Sequence, residues 1–286
     1  VRKNFVSAEH HYERAIETNP TNVDALGTFA SYLHGLGDAD GLERAGKMYE
    51  KCFSIDPCHP NNCCNYGLFL SEELADYDKA SVMYEAALEV NAGHANTLYN
   101  YGVMLDSHLG DKDKAESMYR RALCTNANHP FALYNLAVIL EDKFLAIPAE
   151  RDDDKGKGEK EVEVGFVVVQ RQKILVETRE LFDRAASVSP NDATTLADYG
   201  RFLLSYTDQK SAGEKVLAKA LAIDDLCATA LYHLGVVQHA ARTQYAKAEE
   251  HFRRLRSAHP KHVQGLRALV ALLQDVRYIR KRSASR

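Results

Sequence analysis

The sequence predicts an all-α fold, an α-solenoid of stacked antiparallel helix pairs, on the strength of two motifs and one periodicity. The first motif starts at Tyr12, Tyr49, Tyr84 and Tyr119 as Tyr-Glu/Arg-x-Ala/Cys-apolar, and returns from Phe182, Leu217 and Phe252 in looser form. The second pairs an aromatic or leucine with a small residue: Phe29-Ala30, Tyr66-Gly67, Tyr101-Gly102, Leu136-Ala137, Tyr199-Gly200, Leu234-Gly235 and Leu269-Val270. Both advance by 37, 35, 35, 63, 35 and 35 residues, so the two are parts of one repeated unit. The single 63 exceeds the period by 28, which marks an insertion.

Within each period the apolar spacing is helical. Leu98, Tyr101, Gly102 and Leu105 share one helix face, and Ala115, Met118, Tyr119 and Ala122 share a face of the next. Gly110-Asp111 breaks the first of these helices, and asparagine or proline clusters end the second. A mid-helix glycine costs about 1 kcal/mol against alanine. Its recurrence at Gly67, Gly102, Gly200 and Gly235 therefore implies close packing, expected here as approach of the second helix's backbone.

Taken in order, residues 1–20 read as the second helix of a preceding partial repeat. Residues 21–143 hold three repeats and the first helix of a fourth, and 144–171 form a charged insertion. Residues 172–260 complete the fourth repeat and add two more; 261–286 form a closing helix with a basic tail. The middle of the insertion, "ERDDDKGKGEKE", reads as a mobile loop, and "VEVGFVVV" as either a strand or an extension of the next helix. The closing helix, with Arg277, Arg280, Lys281 and Arg282 near its end, is expected to cap the stack.

Composition narrows the function classes. At 286 residues with 45% apolar and 27% charged residues, the chain resembles an ordinary soluble protein longer than one compact core. A net charge of −4 argues against a general nucleic-acid or anionic-membrane binder. No apolar run is long enough to span a bilayer, and no leader is visible after Val1. Six cysteines are too sparse for a disulfide scaffold and suit a reducing compartment.

The stretch "CHPNNCC" at 58–64 looks most like a metal site, and register explains most of it. Cys63 occupies the slot of Leu98, Leu133, Leu196, Leu231 and Leu266, which is core. His59 shares a slot with Asn22, His94, His129, Asp192 and His262, where a polar side chain caps the next helix. Cys64 alone has no repeat-based reason. Adjacent cysteines do not supply the spacing of a structural zinc site, so no metal is expected.

The pattern resembles the tetratricopeptide repeat family, carried by Leu98, Tyr101-Gly102, Leu105, Ala115, Tyr119 and Ala122, with the pattern's terminal proline at Pro20, Pro57, Pro190 and Pro260. The resemblance implies a right-handed superhelix of about six repeats plus flanking half-repeats, with the first helices lining a concave groove. The 35-residue period also fits the pentatricopeptide RNA readers, a rival opposed by the Tyr-Gly helix and the acidic balance.

Register places Asn65, Asn100 and Asn135 one per repeat along that groove, similar to the asparagine ladder of the O-GlcNAc transferase superhelix. Tyr99, Phe131, Tyr134 and Tyr232 flank them with aromatic surface, and Val103, Asp106, Val138 and Glu141 complete the expected lining. The cation clamp by which some family members hold a chaperone's acidic tail is missing, because Cys64, Asn96 and Asn100 stand in its slots. No Gly-rich phosphate loop, H-E-x-x-H motif or nucleophile–histidine pair is present, so neither catalysis nor a cofactor is expected. The expected role is a non-catalytic scaffold that binds a protein or extended peptide, neither nucleic acid nor membrane. The alternatives are a regulatory or substrate-presenting arm of a larger enzyme, or a subunit of a larger assembly.

Overall fold

The computed structural model describes residues 2–148, 159–241 and 244–284, with side chains over 8–148, 166–241 and 244–277. The described residues are helical, without strands. In order the helices are α1 (Arg2–Thr18), α2 (Val23–Leu36), α3 (Ala39–Ile55), α4 (Pro60–Glu72), α5 (Tyr77–Val90), α6 (Ala95–Ser107), α7 (Lys112–Thr125) and α8 (Pro130–Ala146). They continue as α9 (Glu159–Val188), α10 (Ala193–Tyr206), α11 (Lys210–Ile223), α12 (Ala228–Ala240), α13 (Tyr245–Ala258) and α14 (Val263–Ala284). Contacts divide the chain into two compact units, Val1–Ala132 and Leu133–Arg286.

In the first unit, α2–α3, α4–α5 and α6–α7 form antiparallel hairpins, and each first helix also touches the next one. Its core gathers Phe29, Leu33, Ala45, Tyr49 and Phe69, then Leu70, Ala80, Met83, Tyr84 and Met104. In the second unit, α10–α11 and α12–α13 repeat the hairpin, and α13 packs on α14. Leu196, Leu204, Leu217 and Leu234 form one cluster there; Phe252, Leu269 and Leu272 form another with Ala248.

The repeated glycines explain why the two motifs march together. A Cβ at Gly67 would lie 2.8 Å from the Tyr84 ring, at Gly102 2.6 Å from Tyr119, at Gly200 2.6 Å from Leu217 and at Gly235 2.5 Å from Phe252. Each small residue is the seat for the large side chain that opens the first motif 17 residues later. The expected close approach therefore involves a side chain where the sequence suggested backbone. Only at Gly200 does backbone also come close, the Gly213 carbonyl lying 3.0 Å from the added Cβ.

Capping follows register as well. Asp38, Asp76 and Asp111 accept from Gly41, Lys79 and Lys114 backbone N–H at the starts of α3, α5 and α7. Asn22, His59, His94, His129, Asp192 and His262 do the same for α2, α4, α6, α8, α10 and α14. These bonds fill donors that a helix start leaves open.

The sequence "VEVGFVVV" is helical and belongs to α9, so the strand alternative is set aside. Phe166 and Val169 are exposed, and with no neighbouring strand to pair, a helix is how this stretch satisfies its own backbone. The expected mobile loop lies outside the described residues over 150–158, as do the side chains of Arg280, Lys281 and Arg282 and the tail beyond them. The closing helix carries an unexpectedly apolar outer face: Val263, Val270 and Leu273 are exposed on α14. No helix among the described residues is long and apolar enough to cross a membrane.

Candidate functional site

The first unit contains a cleft of about 930 Å³. Its walls come from α1, α2, α4, α6 and the start of α8, with Asn61, Asn62, Asn65, Asn96, Asn100 and Asn126 supplying six amides. His59, His94 and His129 and the rings of Tyr12, Tyr32, Tyr99 and Phe131 complete most of the wall. Among the described residues, Asp24 is the one carboxylate in the lining, and no lysine or arginine contributes. The surface is therefore rich in hydrogen-bonding groups and nearly free of formal charge.

Local structure explains the placement of these groups. Asn62 is buried and donates through Nδ2 to the Val23 carbonyl at 2.9 Å, tying α4 to α2. Its amide occupies the space above Gly27, where any Cβ would collide at 1.9 Å. His94 accepts at Nδ1 from the Thr97 backbone N–H, so its proton sits on Nε2, 3.0 Å from Asn61 Oδ1. Burial holds the His94 and His129 imidazoles below their usual pKa and keeps them neutral.

Cys63 is core and donates to the Pro57 carbonyl at 3.2 Å, and burial pushes its thiol up to about 11. Cys64 lies at the cleft wall but is only 2% exposed, and Asn100 Nδ2 donates to its sulfur at 3.6 Å. Burial raises its pKa too.

Of the groove residues expected from register, Asn65, Tyr99, Asn100 and Phe131 line this cleft. Asn65 and Asn100 are half-buried, and Phe131 is 59% exposed. Val103 and Asp106 are half-buried beyond the cleft lining. Sequence reasoning missed the contribution of α2. Asp24, Gly27, Thr28 and Ser31 stand one repeat before Asn61, Cys64, Asn65 and Leu68, so the same register carried one period back would have found them.

The remaining expected residues, Tyr134, Asn135, Val138, Glu141 and Tyr232, belong to the second unit. There the polar groups are engaged with one another. Glu141, 4% exposed, receives two bonds from Arg201 at 2.6 Å, so its charge is not presented to a partner as the sequence suggested. The Tyr134 hydroxyl donates to Asp198 Oδ2 at 2.7 Å, and Arg201 Nε lies 3.5 Å from Asp198. Half-buried Tyr232 packs its ring against His233 and His262. Burial, reinforced by the nearby Arg201 charge, lowers the His233 pKa to about 4.

With hairpins, seated glycines and helix-start caps in place, family comparison decides the class. The tetratricopeptide repeat model matches residues 72–132 and again 229–262. These two stretches are tetratricopeptide repeats. Solved structures of similar fold include a tetratricopeptide repeat protein from Parabacteroides merdae, 16% identical, covering 95% of this chain and 93% of that one with a TM-score of 0.53. YrrB, described as a TPR protein with an unusual peptide-binding site, is 20% identical over 78% of this chain and 96% of its own, TM-score 0.52. The human IFIT1 dimer with m7Gppp-AAAA is 15% identical, covers 98% of this chain and gives a TM-score of 0.61. The chain spans 61% of the length of the IFIT1 chain. No curated protein matches it by sequence.

Proposed function

We propose that this protein is a non-catalytic interaction scaffold whose first unit holds an extended peptide, or an extended segment of a partner protein, in its amide-rich cleft. The carrying observation is the lining itself. Side-chain amides offer donors and acceptors together, so they can pair with a peptide backbone whatever its side chains. Asn65 makes no hydrogen bond with the described residues, and Asn100 commits only its Nδ2. The peptide-binding site named for YrrB supports the same use of a repeat of this kind.

The IFIT1 structure is described with a capped oligonucleotide, but the chemistry of this cleft favours peptide. A nucleic-acid backbone calls for cations, and the charged residue in the lining, among the described residues, is Asp24. An acidic chaperone tail is disfavoured for the same reason.

Peptides selected from a random library on the intact chain provide the test. Asn65→Ala with Asn100→Ala should weaken the best of them about fivefold per lost bond while melting stays unchanged. Equal affinity in parent and variant, or selection that yields only acidic peptides, would overturn the reading.

A further inference from the structure

The histidines that cap α4, α6 and α8 belong to a chain of staples, and one staple is open. His59 accepts at Nδ1 from Asn62 backbone N–H, and its Nε2 lies 3.2 Å from Asp24 Oδ1, one repeat back. His94 accepts likewise from Thr97, and its Nε2–H reaches Asn61 Oδ1 at 3.0 Å, again one repeat back. Asp24 and Asn61 share a register slot, and the next residue in that slot is Asn96. His129 accepts at Nδ1 from Ala132 N–H at 3.2 Å, so its proton also sits on Nε2. Here the pattern stops: neither that Nε2–H nor the Asn96 side chain makes a hydrogen bond among the described residues.

Both groups line the cleft, and His129 is only 7% exposed. Among the described residues the sealed side-chain atoms without a partner are the Tyr49 and Tyr84 hydroxyls, so the His129 Nε2–H opens onto the cleft and is available to an acceptor on a ligand. Two aromatic rings flank it. Tyr99 lies 4.9 Å from the His129 ring and 5.8 Å from Phe131, and the His129 and Phe131 centroids are 6.3 Å apart. Phe131 leaves 59% of its surface exposed at that spot.

Resting on the peptide reading above, we infer that His129 and Asn96 form a subsite for one peptide bond of the bound segment, beside an apolar side chain that covers Phe131. The peptide carbonyl accepts from His129 Nε2–H, and the peptide N–H donates to Asn96 Oδ1. An amide offers both partners in a single group; an ester or a carboxylate offers only the acceptor. The ligand then closes the staple that Asp24 and Asn61 close elsewhere.

The test uses two probes on the intact chain, N-methyl-3-phenylpropanamide and methyl 3-phenylpropanoate, which differ as one amide against one ester and carry no second amide, followed through the ¹⁵N resonances of the imidazoles and the side-chain amides. The amide should shift His129 Nε2 and leave His94 Nε2, already closed on Asn61, unmoved. It should bind about fivefold more tightly than the ester. Asn96→Ala, which leaves the His129 cap intact, should abolish that preference without changing the melting temperature. Equal binding of amide and ester by the parent would overturn the subsite, as would shifts at Asn65 and Asn100 with His129 silent; the latter leaves the cleft reading standing. Silence of the whole cleft to both probes would count against both.

Discussion

A Cβ placed on Gly102 would fall 2.6 Å from the ring of Tyr119, a distance that real Cβ contacts do not reach. The Tyr119 ring is fully buried and cannot swing into solvent. Gly102→Ala should therefore destabilise the first unit by about 1–3 kcal/mol, even though alanine is the better helix former. Gly35, with nothing within 4 Å of its Cβ position, is the control: Gly35→Ala should raise the melting temperature. Equilibrium denaturation of the two variants checks the pair.

Glu141 and Arg201 form a mostly buried bidentate pair, and the guanidinium, held by Glu141, Asp198 and its hydrogen bonds, has its pKa raised. Removing one partner strands a charge. Arg201→Met or Glu141→Leu alone should each cost about 3 kcal/mol, while the double variant recovers most of the loss. A double-mutant cycle in urea gives the coupling directly.

Acid should weaken the fold through its histidines. Burial lowers the pKa values of folded His94, His129 and His233, that of His233 to about 4, whereas an unfolded histidine titrates at about 6.5. Below that value the unfolded chain binds more protons than the folded one, so stability falls as pH drops, and His233 keeps contributing down to about 4. Melting temperatures measured from neutral pH to about pH 5 should fall, and less steeply in His94→Asn, which retains a capping side chain.

Gln209 and Gln244 stand where Asp38, Asp76 and Asp111 cap the second helices, and neither makes a side-chain cap bond. Glutamine's extra methylene carries its amide past the helix start. Gln209→Asp should stabilise the second unit by about 1 kcal/mol, read by thermal melting.

Much of this was legible in the sequence because repetition prints each packing rule several times. The 17-residue offset from Gly67 to Tyr84 and from Gly102 to Tyr119 lies open to reading, as does the histidine slot at helix starts. What the pattern hid were relations between unlike repeats. Glu141 meets Arg201 sixty positions away, across the insertion, and no periodicity marks that pairing. "VEVGFVVV" shows strand-like composition, yet α9 takes it because it continues a helix anchored by Leu181 and Phe182 in the core. Within the cleft, Asn65, Tyr99, Asn100 and Phe131 followed from register, whereas the open donor on His129 depends on which staples close, and only coordinates reveal that.

The most direct test is a crystal structure of the chain with a library-selected peptide. The peptide should lie extended along Asn61, Asn65, Asn96 and Asn100, with its backbone on their amides and an apolar side chain against Phe131. A peptide seated instead on the exposed Val263, Val270 and Leu273 of α14, with the cleft filled only by water, would contradict the proposed use of the cleft.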